Sequence, residues 1–253
     1  MSSDDDHVPA PLRRLWRIPE PSRLGRPAAL DVDQVVAAAV EIADREGLAG
    51  VTLPRVGKKL GFTGMSLYRH VGSKDELLAL MADSALGSPP PIDPQDWRAG
   101  LRTWAFAQRS VFRRRPWLTR IPATGPPAGP HQIAWMEAAL TAVSGTSLDW
   151  GPKVGILSLI SDYVAQSVRR SGEFAESRPE GLGQVEAERA YGRALERLVE
   201  PGRFPQMARL FASGLFETPA PDTPDAAADD ADFAFGLELI LDGVAGRVEP
   251  SGS

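Results

Sequence analysis

The stretch TLPRVGKKLGFTGMSLYRH, Thr52 to His70, decides the fold. Thr52 is a good N-cap for a short helix, and Pro54 fits its first turn. Val56 and Leu60 face inward while Arg55, Lys58 and Lys59 face out. Gly61 breaks this helix, Thr63 can cap the next one over Gly64–Val71, and Gly72 ends it. The pattern predicts two short helices joined by a tight turn at Gly61-Phe62. Leu67 and Val71 anchor the second, leaving Thr63, Gly64, Ser66, Tyr68 and Arg69 on or near its outer side. A short helix with a polar outer face suits the major groove of duplex DNA, which is wide enough to admit it.

The same periodicity continues on both sides. Upstream, Val32, Val35, Val36, Ala39, Val40 and Ala43 form one apolar helical stripe. Asp31 and Asp33 favour its start electrostatically, and Gly47 closes it. Downstream, Ser73-Lys-Asp-Glu76 reads as a capping box for a fourth helix with the stripe Leu77, Leu78, Met81, Ala82 and Ala85. Gly87-Ser-Pro-Pro-Pro91 is then the best domain boundary. Beyond it, helical patterns run near 95–115, 130–144, 152–171, 182–200, 203–215 and 229–248, separated by Pro- and Gly-rich breaks. No strand-like alternation stands out. The expected fold is all-α: a flexible basic, Pro-rich arm (1–27), a three-helix helix-turn-helix domain (28–86), and a larger helical domain for effector binding and dimerisation (92–249). The arm holds Arg13-Arg14-Leu15-Trp16-Arg17 and has three open readings: it reaches a minor groove, it is disordered chain without a role, or it docks Trp16 and Ile18 on the protein body.

Composition excludes several classes. None of the 253 residues is Cys, which removes disulfides, thiolate metal sites and thiol nucleophiles. No apolar run approaches the roughly 20 residues that span a bilayer, and the acidic N-terminus lacks the apolar core of a secretory signal. A cytoplasmic protein without membrane contact is expected. The net charge is −5, yet Arg13–Lys74 holds eleven Lys or Arg against six Asp or Glu. Such a cationic segment on an acidic protein can direct DNA to one face. The three histidines, His7, His70 and His131, lack ligand or triad partners at suitable spacing. No catalytic constellation, metal site or cofactor is expected.

The segment Leu30 to Met81 resembles the DNA-binding domain of the tetracycline-repressor (TetR) family of bacterial transcription regulators. VVAAAVEIADREG matches its first helix, VTLPRVGKKLGF its second, and GMSLYRHVGSKDELL its recognition helix and the start of its fourth. Leu67-Tyr68-Arg69-His70-Val71-Gly72-Ser73-Lys74 carries its L-Y-x-H-V-x-x-K pattern. Phe235-Gly-Leu-Glu-Leu-Ile-Leu-Asp-Gly243 resembles the last helix of the tetracycline-repressor-like branch. The resemblance implies that Tyr68, His70 and Lys74 meet the DNA backbone and that Thr63, Gly64, Met65 and Ser66 read bases. Thr52, Arg55 and Arg69 complete the candidate set. Pro54 and Gly57 depart from good helix propensity, and Gly64 removes a side chain from a reading position.

The resemblance also implies a homodimer whose two heads match half-sites on double-stranded DNA, and a small-molecule effector. The candidate interface is formed by helices 152–171 and 229–248, which are apolar on more than one face. Trp104, Phe112, Trp135, Met136, Tyr163 and Phe174 are the candidate effector-binding residues, because interleaved aromatics can line an apolar pocket. The expected function is a ligand-responsive regulator, a repressor released from a palindromic operator by a small apolar effector. Two alternatives remain open: a sequence-tolerant architectural protein, and an enzyme carrying a DNA-binding head.

Overall fold

The computed structural model describes residues 8–18, 30–122, 125–177, 183–216 and 225–248. The fold is all-α, with no strand among the described residues. In chain order the helices are α1 (Ala10–Leu15), α2 (Val32–Glu46), α3 (Leu53–Leu60), α4 (Gly64–Val71), α5 (Lys74–Leu86), α6 (Trp97–Arg114), α7 (Pro130–Ala142), α8 (Trp150–Ser177), α9 (Gln184–Leu198), α10 (Pro205–Ala212) and α11 (Asp225–Val248). Two compact units result, residues 1–168 with 246–253, and residues 169–245.

In the first unit, α2 starts on a full capping box. The Asp31 carboxylate accepts the Asp33 N–H at 2.7 Å, and the Gln34 side chain accepts the Asp31 N–H at 3.3 Å. Asp31 thus acts through hydrogen bonds as well as through charge. Val35, Val36, Ala39 and Ala43 of α2 are buried, as are Val56 of α3, Leu67 and Val71 of α4, and Leu77, Leu80 and Met81 of α5. These side chains form the core of the head. Across the Gly87–Pro91 segment, α6, α7 and the first part of α8 bury Leu101, Trp104, Trp135, Ala139, Leu157, Ile160 and Val164.

Part of the arm expected as flexible chain is helical. Polar contacts tie the arm to the rest of its unit. Trp16 Nε1 donates to the Ala128 carbonyl at 2.8 Å. Arg17 pairs with Asp33 at 2.6 Å, and Arg14 with Glu76 at 3.4 Å. Trp16 thus docks on the protein body, one of the three alternatives open from sequence. His7, Arg23 and Arg26 lie outside the described residues.

In the second unit, Tyr191 of α9, Phe211 of α10 and Phe216 form an aromatic cluster with ring separations of 5.5 to 6.2 Å. Helix α11 buries Phe233, Leu237, Leu241 and Val244, spaced by four, four and three residues, so one stripe is covered. Phe235 and Leu239, on another stripe, are 69% and 58% exposed.

Candidate nucleic-acid interface

The turn between α3 and α4 sets the geometry of the head. The Thr52 hydroxyl caps α3 by accepting the Arg55 N–H at 3.4 Å. At the other end Gly61 takes φ 77° and ψ 22°, the left-handed conformation that glycine adopts without strain. The Phe62 N–H reaches the Gly57 carbonyl at 2.8 Å and the Gly61 N–H the Lys58 carbonyl at 3.3 Å. These two bonds are the Schellman pairing that closes a helix end, and α4 begins three residues later.

Gly57 and Gly64 have a packing reason that propensity does not reveal. A β-carbon on Gly57 would lie 2.8 Å from the Phe62 carbonyl oxygen and 3.0 Å from the Gly64 nitrogen. One on Gly64 would lie 3.1 Å from both the Cα and the nitrogen of Pro54. Their missing side chains let α4 cross closely over α3. The two glycines that weaken the local helices are therefore what allows those helices to pack.

Helix α4 divides cleanly into two faces. Leu67 and Val71 are fully buried. Met65 is 77% and Tyr68 47% exposed, and Thr63, Arg69 and Lys74 are also exposed. Gly64, Ser66 and His70 are half-buried. Thr63 does not cap α4 with its side chain as expected. Its carbonyl instead accepts the Ser66 N–H at 3.0 Å and the Ser66 hydroxyl at 2.6 Å.

The cations of the head fall into two groups. Arg55 pairs with Glu46 at 2.5 Å, Lys59 with Glu41 at 2.8 Å, and Arg45 also pairs with Glu41. Lys58, Arg69 and Lys74 have no ion-pair partner among the described residues. The hydrogen bond from Lys59, aided by the charge of Arg45, holds the Glu41 carboxyl below the usual carboxylate range. That contribution is complete at neutral pH and is lost as pH falls through the lowered value.

The six effector candidates are not equivalent. Trp104 and Trp135 are buried together, with ring centroids 6.5 Å apart. Trp104 Nε1 donates to the Trp135 carbonyl and Trp135 Nε1 to the Gly87 carbonyl, each at 2.9 Å. Phe112, Met136 and Tyr163 are half-buried in the same unit, whereas Phe174 is exposed and belongs to the other.

Helix α5 runs out of the head and is gripped at its far end. Asp83, only 4% exposed, accepts the Gln132 N–H at 2.9 Å and lies 3.0 Å from His131 Nδ1. It thereby caps the N-terminus of α7 from another helix. Gly129 leaves room for this, since a β-carbon there would sit 2.1 Å from the carboxylate. A second tie runs from α2: Trp117 Nε1 donates to Asp44 at 2.7 Å, and Arg115 reaches both Asp44 and the Ala85 carbonyl. Asp83 is not among the residues singled out from the sequence. The available signal was an acid one helical turn from the buried Leu80 and directly after the apolar pair Met81-Ala82.

The profile of bacterial regulatory proteins of the tetR family matches residues 35–81, and that of the tetracyclin repressor-like C-terminal domain matches residues 90–248. The chain is 36% identical to the HTH-type transcriptional repressor DrrR1 of Streptomyces coeruleorubidus, over 96% of this chain and 87% of the relative. It is 27% identical to the tetracycline repressor protein class A from transposon 1721 of Escherichia coli, over 86% of this chain and 92% of the relative. Among solved structures, the TetR family protein ActR of Streptomyces coelicolor in complex with actinorhodin superposes with a TM-score of 0.71 at 25% identity. That match covers 89% of this chain and all of ActR.

Proposed function

The chain belongs to the tetracycline-repressor family, and from that premise we propose that it is a dimeric, ligand-responsive repressor that binds a palindromic operator through α4. The observation that carries this reading is the two-faced α4, with Leu67 and Val71 fully buried and Met65, Tyr68 and Arg69 turned outward. The unopposed Lys58, Arg69 and Lys74 supply the charge that phosphate requires. In this reading Tyr68, His70 and Lys74 hold the backbone, while Thr63, Gly64, Met65 and Ser66 sit at base edges. Thr52 acts as the cap that fixes α3, and Arg55 reaches phosphate only by exchanging Glu46 for it. We read the protein as a cytoplasmic regulator, not an enzyme. No described helix is long and apolar enough to cross a membrane.

Tyr68→Ala tests the assignment. If Tyr68 holds phosphate, fluorescence anisotropy will show affinity falling about tenfold on strong and weak operators alike. A loss confined to one base pair would assign Tyr68 to sequence reading instead.

Dimerisation accounts for exposed apolar side chains. On α11 these are Phe235 and Leu239, and on α8 they include Trp150, Val154 and Leu159. Changing Phe235 and Leu239 together to Glu is expected to cost about 2 kcal/mol or more per site at a subunit interface. Sedimentation would then show a monomer that still melts cooperatively. A dimer unchanged by both substitutions would move the interface elsewhere.

Control by the effector follows from linkage. A ligand that binds better to a conformation whose heads no longer fit the half-sites weakens DNA binding by the factor that DNA weakens ligand binding. Helix α5 is the lever in this reading, because Asp83 fastens it to α7 and its first turn borders the proposed DNA surface. Trp104, Phe112, Trp135, Met136 and Tyr163, all of the first unit, are the proposed effector contacts. Of these, Trp104 and Trp135 offer ring surface only, since their N–H groups are already used.

A further inference from the structure

Helix α6 carries a polar side chain in a place where core packing gives no reason for one. Trp104, Gln108 and Phe112 stand four residues apart and share one stripe of the helix. Gln108 is only 8% exposed. Its Nε2 donates to Ser161 Oγ on α8 at 3.4 Å, while its carbonyl Oε1 is buried with no hydrogen-bond partner. The neighbouring indole cannot supply a donor, because Trp104 Nε1 is committed to the Trp135 carbonyl. Native proteins leave few buried acceptors without a donor, and each exception calls for a specific cause.

We propose that Gln108 is the polar recognition point of the effector site, and that the effector is a flat aromatic molecule presenting an O–H or N–H donor to Gln108 Oε1. This rests on the reading of the helical domain as effector-binding. The aromatic residues on either side, Trp104 and Phe112, give the stripe its preference for a planar apolar body. The amide between them adds a directional demand that an apolar wall would lack. A site built around an unpaired acceptor rejects an analogue without the donor, because binding it leaves that acceptor buried and unmatched. Ser161 holds the amide by its nitrogen and so leaves the carbonyl for the ligand.

The test uses the full chain and Gln108→Leu, an apolar replacement of similar size. Three quantities are read: the melting temperature without ligand, the binding of 2-naphthol and 2-methoxynaphthalene by calorimetry, and the affinity for the chain's own promoter region. The expected result is that 2-naphthol binds the parent chain about tenfold more tightly than its methyl ether, and that Gln108→Leu removes this preference. Gln108→Leu is also expected to melt no lower than the parent, since it deletes an unsatisfied buried group, and to bind promoter DNA as before. A lower melting temperature in Gln108→Leu would make the residue a structural link to Ser161 and overturn the proposal. So would equal binding of the two probes, or binding of neither, by a parent chain that still holds its promoter. A parent chain that does not bind its promoter would count against the regulator reading itself.

Discussion

Gly57→Val is expected to destabilise the head by about 3 kcal/mol and to abolish DNA binding. Two effects oppose one another at this position. Any side chain with a β-carbon relieves the propensity penalty of a mid-helix glycine, which is worth about 1 kcal/mol for alanine and less for β-branched valine. Against this, the new β-carbon meets the Phe62 carbonyl oxygen at 2.8 Å, the Gly64 nitrogen at 3.0 Å and the Thr63 carbonyl carbon at 3.1 Å. All three are backbone atoms of the turn from which α4 hangs, so no side-chain rotation relieves the contact. Displacing that turn moves every residue of the proposed DNA surface at once. Gly57→Ala is expected to show the same effect in weaker form. Circular dichroism melts and promoter binding by anisotropy check both variants. An unchanged melting temperature in Gly57→Val would mean that α4 does not sit where the close approach places it.

Asp83→Ala is the second large effect. The carboxylate is buried, accepts a backbone N–H at the first turn of α7, and contacts His131. Removing it leaves the Gln132 N–H without its partner and deletes a negative charge from a helix N-terminus, where the macrodipole favours one. The cost is about 2 kcal/mol, between that of an ordinary N-cap and a buried charged hydrogen bond. Asp83→Asn keeps an acceptor for the Gln132 N–H and is expected to recover about half of the loss. Gly129→Ala is expected to resemble Asp83→Ala, because its methyl group would occupy the carboxylate's position. Thermal melts of the three variants give the order directly. If Asp83 also transmits the effector signal along α5, Asp83→Ala will still bind promoter DNA but will release it poorly. Equal melting temperatures for Asp83→Ala and the parent would show that the clamp contributes nothing.

The parts of this structure that were legible in the sequence are those whose causes are local. Caps, breaks and stripes lie within a few residues of what they control, so α2 to α5 match the helices read from Asp31, Thr52, Gly61, Gly72 and Ser73. The later helices were found for the same reason, though α8 extends to Ser177, past the expected end at 171. What escaped is long-range. Asp83 meets residues 48 and 49 positions away, Gln108 meets Ser161 53 positions away, and Trp16 meets Ala128 112 positions away. No periodicity announces such pairs. The glycines of the turn were misjudged for a related reason. Propensity treats Gly57 as an isolated helix residue, and Gly64 reads as a side chain missing from the outer face, whereas the role of both is set by the distance between two helix backbones.

The most direct test of the central claim is the affinity of the purified full chain for its own promoter region, compared with random duplex of equal length across a salt series. Binding is expected to favour the promoter by about 10³-fold or more, and to weaken steeply and linearly in logarithmic salt concentration. Equal affinity for random and promoter DNA would contradict the account and leave the head a sequence-tolerant DNA-binding module.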